Sequence, residues 1–426
     1  MKSEVTIKKS TKVNNSTVRN TVFVILTLVS IHFWDLRYIP LPMINFQNIA
    51  VWLISAFACV MVFRNANLRF KWPVILLIVG LLANCYASYT NHGQGIKLSI
   101  LSFLFYYFIL LYFLFHYLKL EKKFVENTVI VLGLIYSLLF IIQYKVFPYE
   151  IFSTWVKTAT DEMQFEIVGH GFLMLSFFLV INRYMTTRKL LYAFLALGFF
   201  MVQFKCGFRT LVAAAGVSAV FLVLKLIRFN IKDIFLILLM GLMFAGLTQY
   251  KSINKIINNM INKTEVESKE GKDYIRNIER EFFYTQYPKN LSYYIIGGGK
   301  PAGKDNINSY DPNAIGMNYN IVWVDIGLLG FYIVVGGIAT LAILWYSLKV
   351  ILSKLPREAA YLSAYFLYLL LSSFTNEEIY RDGIFTVQAI ALYLTDMALD
   401  ERAKAIVPVV KSRRKRAGAV IVQNSD

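Results

Sequence analysis

Apolar residues fall in long, near-continuous runs along this chain, separated by short polar breaks. Runs near 21–36, 46–63, 73–89, 96–118, 124–147, 166–185, 188–204, 208–227 and 231–249 precede one long polar stretch. Runs near 322–348, 358–375 and 383–398 follow it. Each is roughly 17–25 residues, the length of a helix that crosses a hydrocarbon core. The pattern predicts an all-α integral membrane fold of about twelve transmembrane helices. It divides the chain into a basic tail of disordered composition (1–20), about nine spans (21–249), a large loop (250–317), about three spans (318–398) and a second basic tail (399–426). No internal repeat is evident.

The large loop has a helical pattern of its own. Ile253, Ile256, Ile257, Met260 and Ile261 recur at the spacing of a helix lying on a membrane surface. Gly271 separates this segment from a second predicted helix, Lys272 to Tyr287, which Pro288 ends. On that helix Ile275, Ile278, Phe282 and Phe283 mark one face, and Arg276, Arg280 and Tyr284 share another.

Composition agrees with the pattern. The chain is 57% hydrophobic with a mean hydropathy of +0.53, more apolar surface than a soluble domain of this size can bury. No cleavable signal peptide is evident, because the first twenty residues are polar and basic. The net charge of +18 reads as positive loops retained on the cytoplasmic side rather than as a nucleic-acid surface. Loops with Arg64, Arg69 and Lys71; Lys119, Lys122 and Lys123; Arg183, Arg188 and Lys189; Lys225, Arg228 and Lys232; and Lys349, Lys354 and Arg357 all fall on one side, with both termini. The other side receives Asp35, Arg37, Lys97, an acidic loop with Glu150, Asp161, Glu162 and Glu166, the Lys205–Arg209 turn, the large loop, and Glu377, Glu378, Arg381 and Asp382. Both termini are therefore expected in the cytoplasm and the large loop outside it. Cys59, Cys85 and Cys206 have neither metal-ligand spacing nor a disulfide framework.

The candidate chemistry lies on the outward side. Arg209 stands between two apolar runs, where a guanidinium is costly unless it is paired or lines a wet cavity. Its planar fork suits phosphate. Arg276 and Arg280 either form a solvated face balanced by Glu279 and Glu281 or join Arg209 around a diphosphate, since converging cations need an anion between them. Lys205 and Arg381 are further outward cations. Gly297-Gly298-Gly299-Lys300 lacks the spacing of a nucleotide-binding loop and reads as a tight turn. His170 is a candidate base, as its unperturbed pKa lies near neutrality, though a lone histidine at a helix end is more often structural. Asp325, Tyr319 and the carboxylate cluster Glu377, Glu378 and Asp382 are alternatives for a base or for a group that orients an arginine. His32 and His116 read as core or interfacial. No HExxH, nucleophile elbow or Asp-rich metal pattern is found, so neither hydrolysis nor a bound metal nor a cofactor is expected.

Three of these stretches resemble the O-antigen polymerase/ligase superfamily of bacterial envelope glycan assembly (Wzy/WaaL type). Cys206-Gly207-Phe208-Arg209-Thr210 resembles its Ser-Arg-Thr/Ser-Gly stretch. Tyr294-Ile295-Ile296-Gly297-Gly298-Gly299, following Arg276 and Arg280, resembles an outer-loop arginine followed by Pro-Ile-Leu-Gly-x-Gly. Asp325-Ile326-Gly327-Leu328-Leu329-Gly330 resembles its Glu-x-Gly-Leu-Leu-Gly. The likeness covers roughly residues 200–345 and the overall layout of spans. One departure stands out: where the ligases have a histidine before that Glu, this chain has Gly316-Met317, with Asn318, Tyr319 and Asn320 nearby.

The resemblance implies a GT-C-like glycosyltransferase in the bacterial cytoplasmic membrane. A sugar hydroxyl of one lipid-linked repeat attacks the anomeric carbon of another, and polyprenyl diphosphate leaves. Arg209, Arg280 and Arg276 would stabilise that leaving group. Lys205, Tyr284, Gly297, Gly299, Lys300, Asn318, Asn320 and Arg381 would line the substrate site. The products would be O-antigen, capsule or a related polysaccharide, with flippase and chain-length-regulator proteins as partners. The alternatives are a ligase that moves the glycan to another acceptor and a lipid-linked oligosaccharide flippase. Flippases usually carry repeated halves and broken helices at the midplane, and neither pattern is legible here.

Overall fold

The computed structural model describes residues 2–32, 44–64, 68–147, 149, 151–152, 154–157, 164–227, 274–302 and 322–423, with isolated positions between 258 and 271. The expected span 231–249 and the surface helix after residue 250 lie outside the described residues. So do Asn318, Tyr319 and Asn320.

Helices dominate. In chain order they are α1 (Lys2–Ile31), α2 (Ile44–Val62), α3 (Lys71–His92), α4 (Ile96–Ser102), α5 (Leu111–Leu118), α6 (Lys122–Val146), α7 (His170–Thr187), α8 (Leu190–Lys205) and α9 (Arg209–Leu226). After the large loop come α10 (Ile275–Glu281), α11 (Ser292–Ile295), α12 (Leu328–Val335), α13 (Gly337–Leu352), α14 (Ala360–Ser372) and α15 (Ile384–Gln423). The all-α expectation has one exception, an antiparallel hairpin of β1 (Thr154–Lys157) and β2 (Gln164–Ile167).

Among the described residues α3, α6 and α9 are each long and apolar enough to cross a membrane. A fourth candidate is the pair Ile96–Ser102 and Tyr106–Leu118, which is bent by 62°. The α1, α2, α8 and α13 segments are apolar but shorter. Apolar side chains on α6 explain why a membrane suits this chain. Val131, Leu134, Ile135, Leu138, Ile141 and Ile142 recur at helical spacing and are all exposed, an outward stripe that water would penalise and lipid would not. In contrast α7 is buried all round from Phe172 to Ile181, as a central helix must be. It packs against α6, α8, α9 and α14.

Small residues let these helices approach closely. A Cβ on Gly133 of α6 would lie 2.3 Å from Ser176 Oγ of α7, and one on Gly80 of α3 would lie 2.7 Å from the Ala339 nitrogen of α13.

Four expectations are corrected. The run 322–348 is not one span: Gly336, with φ +112, separates α12 from α13. The run 96–118 is bent rather than continuous. The first basic tail is the start of α1 rather than a disordered segment. The second loop helix is α10 alone, followed by a π-helical turn at Phe282–Gln286. The wider turn takes Tyr284 off the α-helical spacing it was expected to share with Arg276 and Arg280.

One end of the bundle is tied by ionic contacts. Asp396 of α15 is fully buried; it accepts from Tyr112 at 2.5 Å and lies 3.3 Å from His116 Nε2. Arg69 pairs with Asp400 at 2.7 Å, and its carbonyl accepts from Lys349 at 2.7 Å. Nearby, Arg183 pairs with Glu126 at 3.0 Å and Lys122 with Glu401 at 2.7 Å. Arg69, Lys122, Arg183 and Lys349 come from the basic breaks that the sequence groups on one side.

Candidate functional site

At the opposite end, the first residue of α7 anchors a buried polar centre. His170 donates from Nδ1 to Glu378 Oε1 at 2.8 Å, and its Nε2 lies 2.5 Å from Gln203 Oε1 of α8. All three are buried, Glu378 to 1% exposure. A buried carboxylate persists only when it is paired. Glu378 meets that condition twice, because its second oxygen lies 3.5 Å from Arg381 NH1.

Arg381 reaches back to a second carboxylate four residues earlier, with Nε 3.2 Å from Glu377 Oε1. Burial pulls its guanidinium down to about 10, while Tyr136 and Asp382 act the other way, so it stays charged at neutral pH. Tyr136, Tyr365 and Tyr368 close around the centre. The Tyr136 and His170 rings are 5.9 Å apart. Tyr365 and Tyr368 are fully buried and lie close enough to Glu378 to interact with it.

The same centre touches the α8–α9 turn. Cys206 is fully buried beside Tyr136. Burial and then the Glu378 charge push its thiol up, so it remains a thiol. Gly207, with φ +81, turns the chain so that Arg209 opens α9, half-buried. Lys205 lies 5.4 Å over the Tyr144 ring.

On its other flank the centre meets the loop helix. Tyr380 stacks on Trp323, with centroids 5.5 Å apart and planes at 16°, and donates to the Gly327 carbonyl at 2.9 Å. The Val322 amide donates to Glu279 Oε1 of α10 at 3.1 Å. Glu279 is thus an internal anchor, 1% exposed, not a solvated counter-charge. It fixes the helix that carries Arg276 and Arg280, both half-buried, with Arg280 NH1 3.4 Å from Asn277 Oδ1. Tyr284 is exposed. Asp325 is half-buried on the 3-10 turn Trp323–Ile326.

The glycine run does something different. The Gly298 and Gly299 amides donate to the Ile333 and Val334 carbonyls at 2.9 and 3.0 Å. Asn84 of α3 bridges Ile296 and Val334 and accepts from the Lys300 amide. Gly297 has φ +83, and a Cβ there would lie 2.4 Å from the Val334 oxygen. The run is therefore a backbone clasp on the α12–α13 break. Lys300 is committed to the same clasp: its ammonium donates to the Ser102 carbonyl at 2.9 Å and sits 4.5 Å over the Tyr106 ring.

Of the residues singled out from the sequence, the structure joins His170, Glu377 and Arg381 in one network. It places Arg209 and Lys205 on an adjoining turn and Arg276 and Arg280 on an adjoining helix. Gly297, Gly299 and Lys300 stand apart in the clasp. Glu378, one of the outward carboxylates read from the sequence, orients Arg381 and pairs with His170, whereas Gln203, Tyr136, Tyr365 and Tyr368 were not singled out as site residues. A polar Gln203 inside an apolar run was the one signal that could have found any of them. Among the described residues no three His, Cys, Asp or Glu side chains gather as a metal site.

Compared with known proteins, the chain matches no family model, no curated protein and no solved structure.

Proposed function

We propose that this chain is a polytopic glycosyltransferase that polymerises polyprenyl-diphosphate-linked oligosaccharide repeats at the outer face of a bacterial cytoplasmic membrane. About twelve spans in a GT-C-like arrangement, with both termini in the cytoplasm, complete the reading. What supports it most is a path of direct contacts. Arg209, Arg381 and the pair Arg276 and Arg280 come from distant parts of the sequence. Their segments are linked at one end of the bundle through Cys206, Tyr136, His170, Glu378, Tyr380, Trp323, Val322 and Glu279. The basic loops gather at the other end, as a cytoplasmic face would.

Guanidinium groups held on a rigid base suit a lipid diphosphate. Diphosphate is already a good leaving group, so it needs charge stabilisation more than a proton. Each well-placed cation is worth about a few kcal/mol of barrier. Arg209 and Arg280 are assigned to that role, with Arg276 and Arg381 beside them. Neither a nucleotide sugar nor a metal is required.

The test replaces Arg209 and Arg280 separately with alanine in cells making the polymer. The expected result is loss of long chains with normal membrane insertion of each variant. Wild-type chain lengths from a properly inserted variant contradict the assignment. Purified protein given lipid-linked repeats should yield a ladder of single-repeat steps; one-step capping of another acceptor would make it a ligase.

A further inference from the structure

The proposed reaction needs a group to take the acceptor hydroxyl's proton, and the sequence leaves His170, Asp325, Tyr319 and Glu377 open for it. The geometry points to Glu377, an assignment that rests on the polymerase reading. His170 is unsuited, because it is buried and both ring nitrogens are engaged, one by Glu378 and one by Gln203. Glu378 is unsuited for the same reason, with 1% of its side chain exposed and its oxygens directed at His170 and Arg381.

Glu377 is the neighbouring carboxylate in a different environment. Its side chain is 28% exposed. Its backbone is fixed by a bond from its amide to Asn376 Oδ1 at 2.7 Å and by the Tyr380 amide on its carbonyl at 2.8 Å. Arg381 Nε holds one carboxylate oxygen at 3.2 Å, and Arg381 is itself braced by Glu378, His170 and Gln203. Two adjacent glutamates thus divide the work. The buried one is a positioning residue; the accessible one meets substrate. A base held this way keeps its geometry without moving during reaction.

The step balances as follows. The acceptor hydroxyl's oxygen forms the new bond to the anomeric carbon while its proton passes to a Glu377 carboxylate oxygen. The bond from that carbon to the diphosphate oxygen breaks, and its electron pair leaves on the lipid diphosphate. Glu377 then returns the proton to water.

The experiment uses the full chain in nanodiscs, lipid-linked repeat units as substrate, and resolved product ladders. Glu377→Gln should lower turnover by about 10²–10⁴-fold while the donor KM stays within a few-fold of wild type. Added formate should partly restore Glu377→Ala, and Glu377→Asp should keep intermediate activity. A merely structural Glu377 would change KM through Arg381 and show no formate effect, which would overturn the assignment. Glu377→Gln at wild-type turnover would overturn it as well and leave the polymerase reading standing. Wild-type protein that extends no repeat would overturn both.

Discussion

At the scale of single residues, the account turns on Glu378. It lies 208 positions from His170 and links that imidazole to the Arg381 guanidinium. Removing one partner of a buried ionic group strands the others, which costs about 3–5 kcal/mol. Glu378→Ala should therefore lower the melting temperature in detergent strongly. A double-mutant cycle with His170→Ala should show the two changes to be coupled rather than additive; additive losses would mean that the pair does not act as a unit. The sequence exposed part of this. His170 stood out as an imidazole at the end of an apolar run, and Glu377, Glu378 and Arg381 because they are charged beside apolar runs. Their joining was illegible, since nothing local to residue 170 points to residue 378. Gln203 was hidden for another reason: one amide hardly alters the hydrophobic pattern of the run that contains it.

At the scale of elements, hydrophobic periodicity located α3, α6, α8 and α9 to within a few residues, because each is bounded by charge or glycine. It failed where helices break inside apolar sequence. The 62° bend before Tyr106 falls among Phe, Leu and Tyr residues with no proline or glycine to announce it. The break at Gly336 did have a signal, the pair Gly336-Gly337, and the physical reason lies elsewhere in the chain. A Cβ on Gly336 would lie 2.5 Å from the Ile296 carbonyl carbon, in the clasp formed by Gly297 to Gly299. Gly297→Ala, which forces a side chain into positive φ and onto the Val334 oxygen, should loosen this clasp and depress the melting temperature by several degrees. Gly198→Ala in α8, where a Cβ meets nothing within 4 Å, should be neutral or stabilising by about 1 kcal/mol. Equal effects from the two changes would refute the close-packing argument.

At the scale of the whole molecule, the two ends differ in chemistry. One end joins Arg69, Lys122, Arg183 and Lys349 to carboxylates and carbonyls in a ring of ties. The other holds a buried His–Glu pair with Arg381 against it and carries Arg209, Arg276 and Arg280 on adjoining segments. The sidedness proposed from the lysine and arginine bias is open to direct measurement. The native cysteines are all buried and should stay unreactive toward an impermeant thiol reagent in intact cells. On a cysteine-free background, Asp382→Cys should be labelled from outside, and Glu401→Cys only after the membrane is opened. The reverse pattern would invert the molecule and remove the proposed site from its lipid-linked substrate.

The central claim, that these cationic segments share one diphosphate, has a direct test. A polyprenyl diphosphate carrying a photoreactive group beside the diphosphate is crosslinked to the purified protein, and the labelled peptides are mapped by mass spectrometry. The account predicts labelling on the peptides that hold Arg209, Arg280 and Arg381, competed away by unlabelled polyprenyl diphosphate. Labelling confined to the end with Arg69 and Lys349, or none that unlabelled lipid displaces, would contradict it.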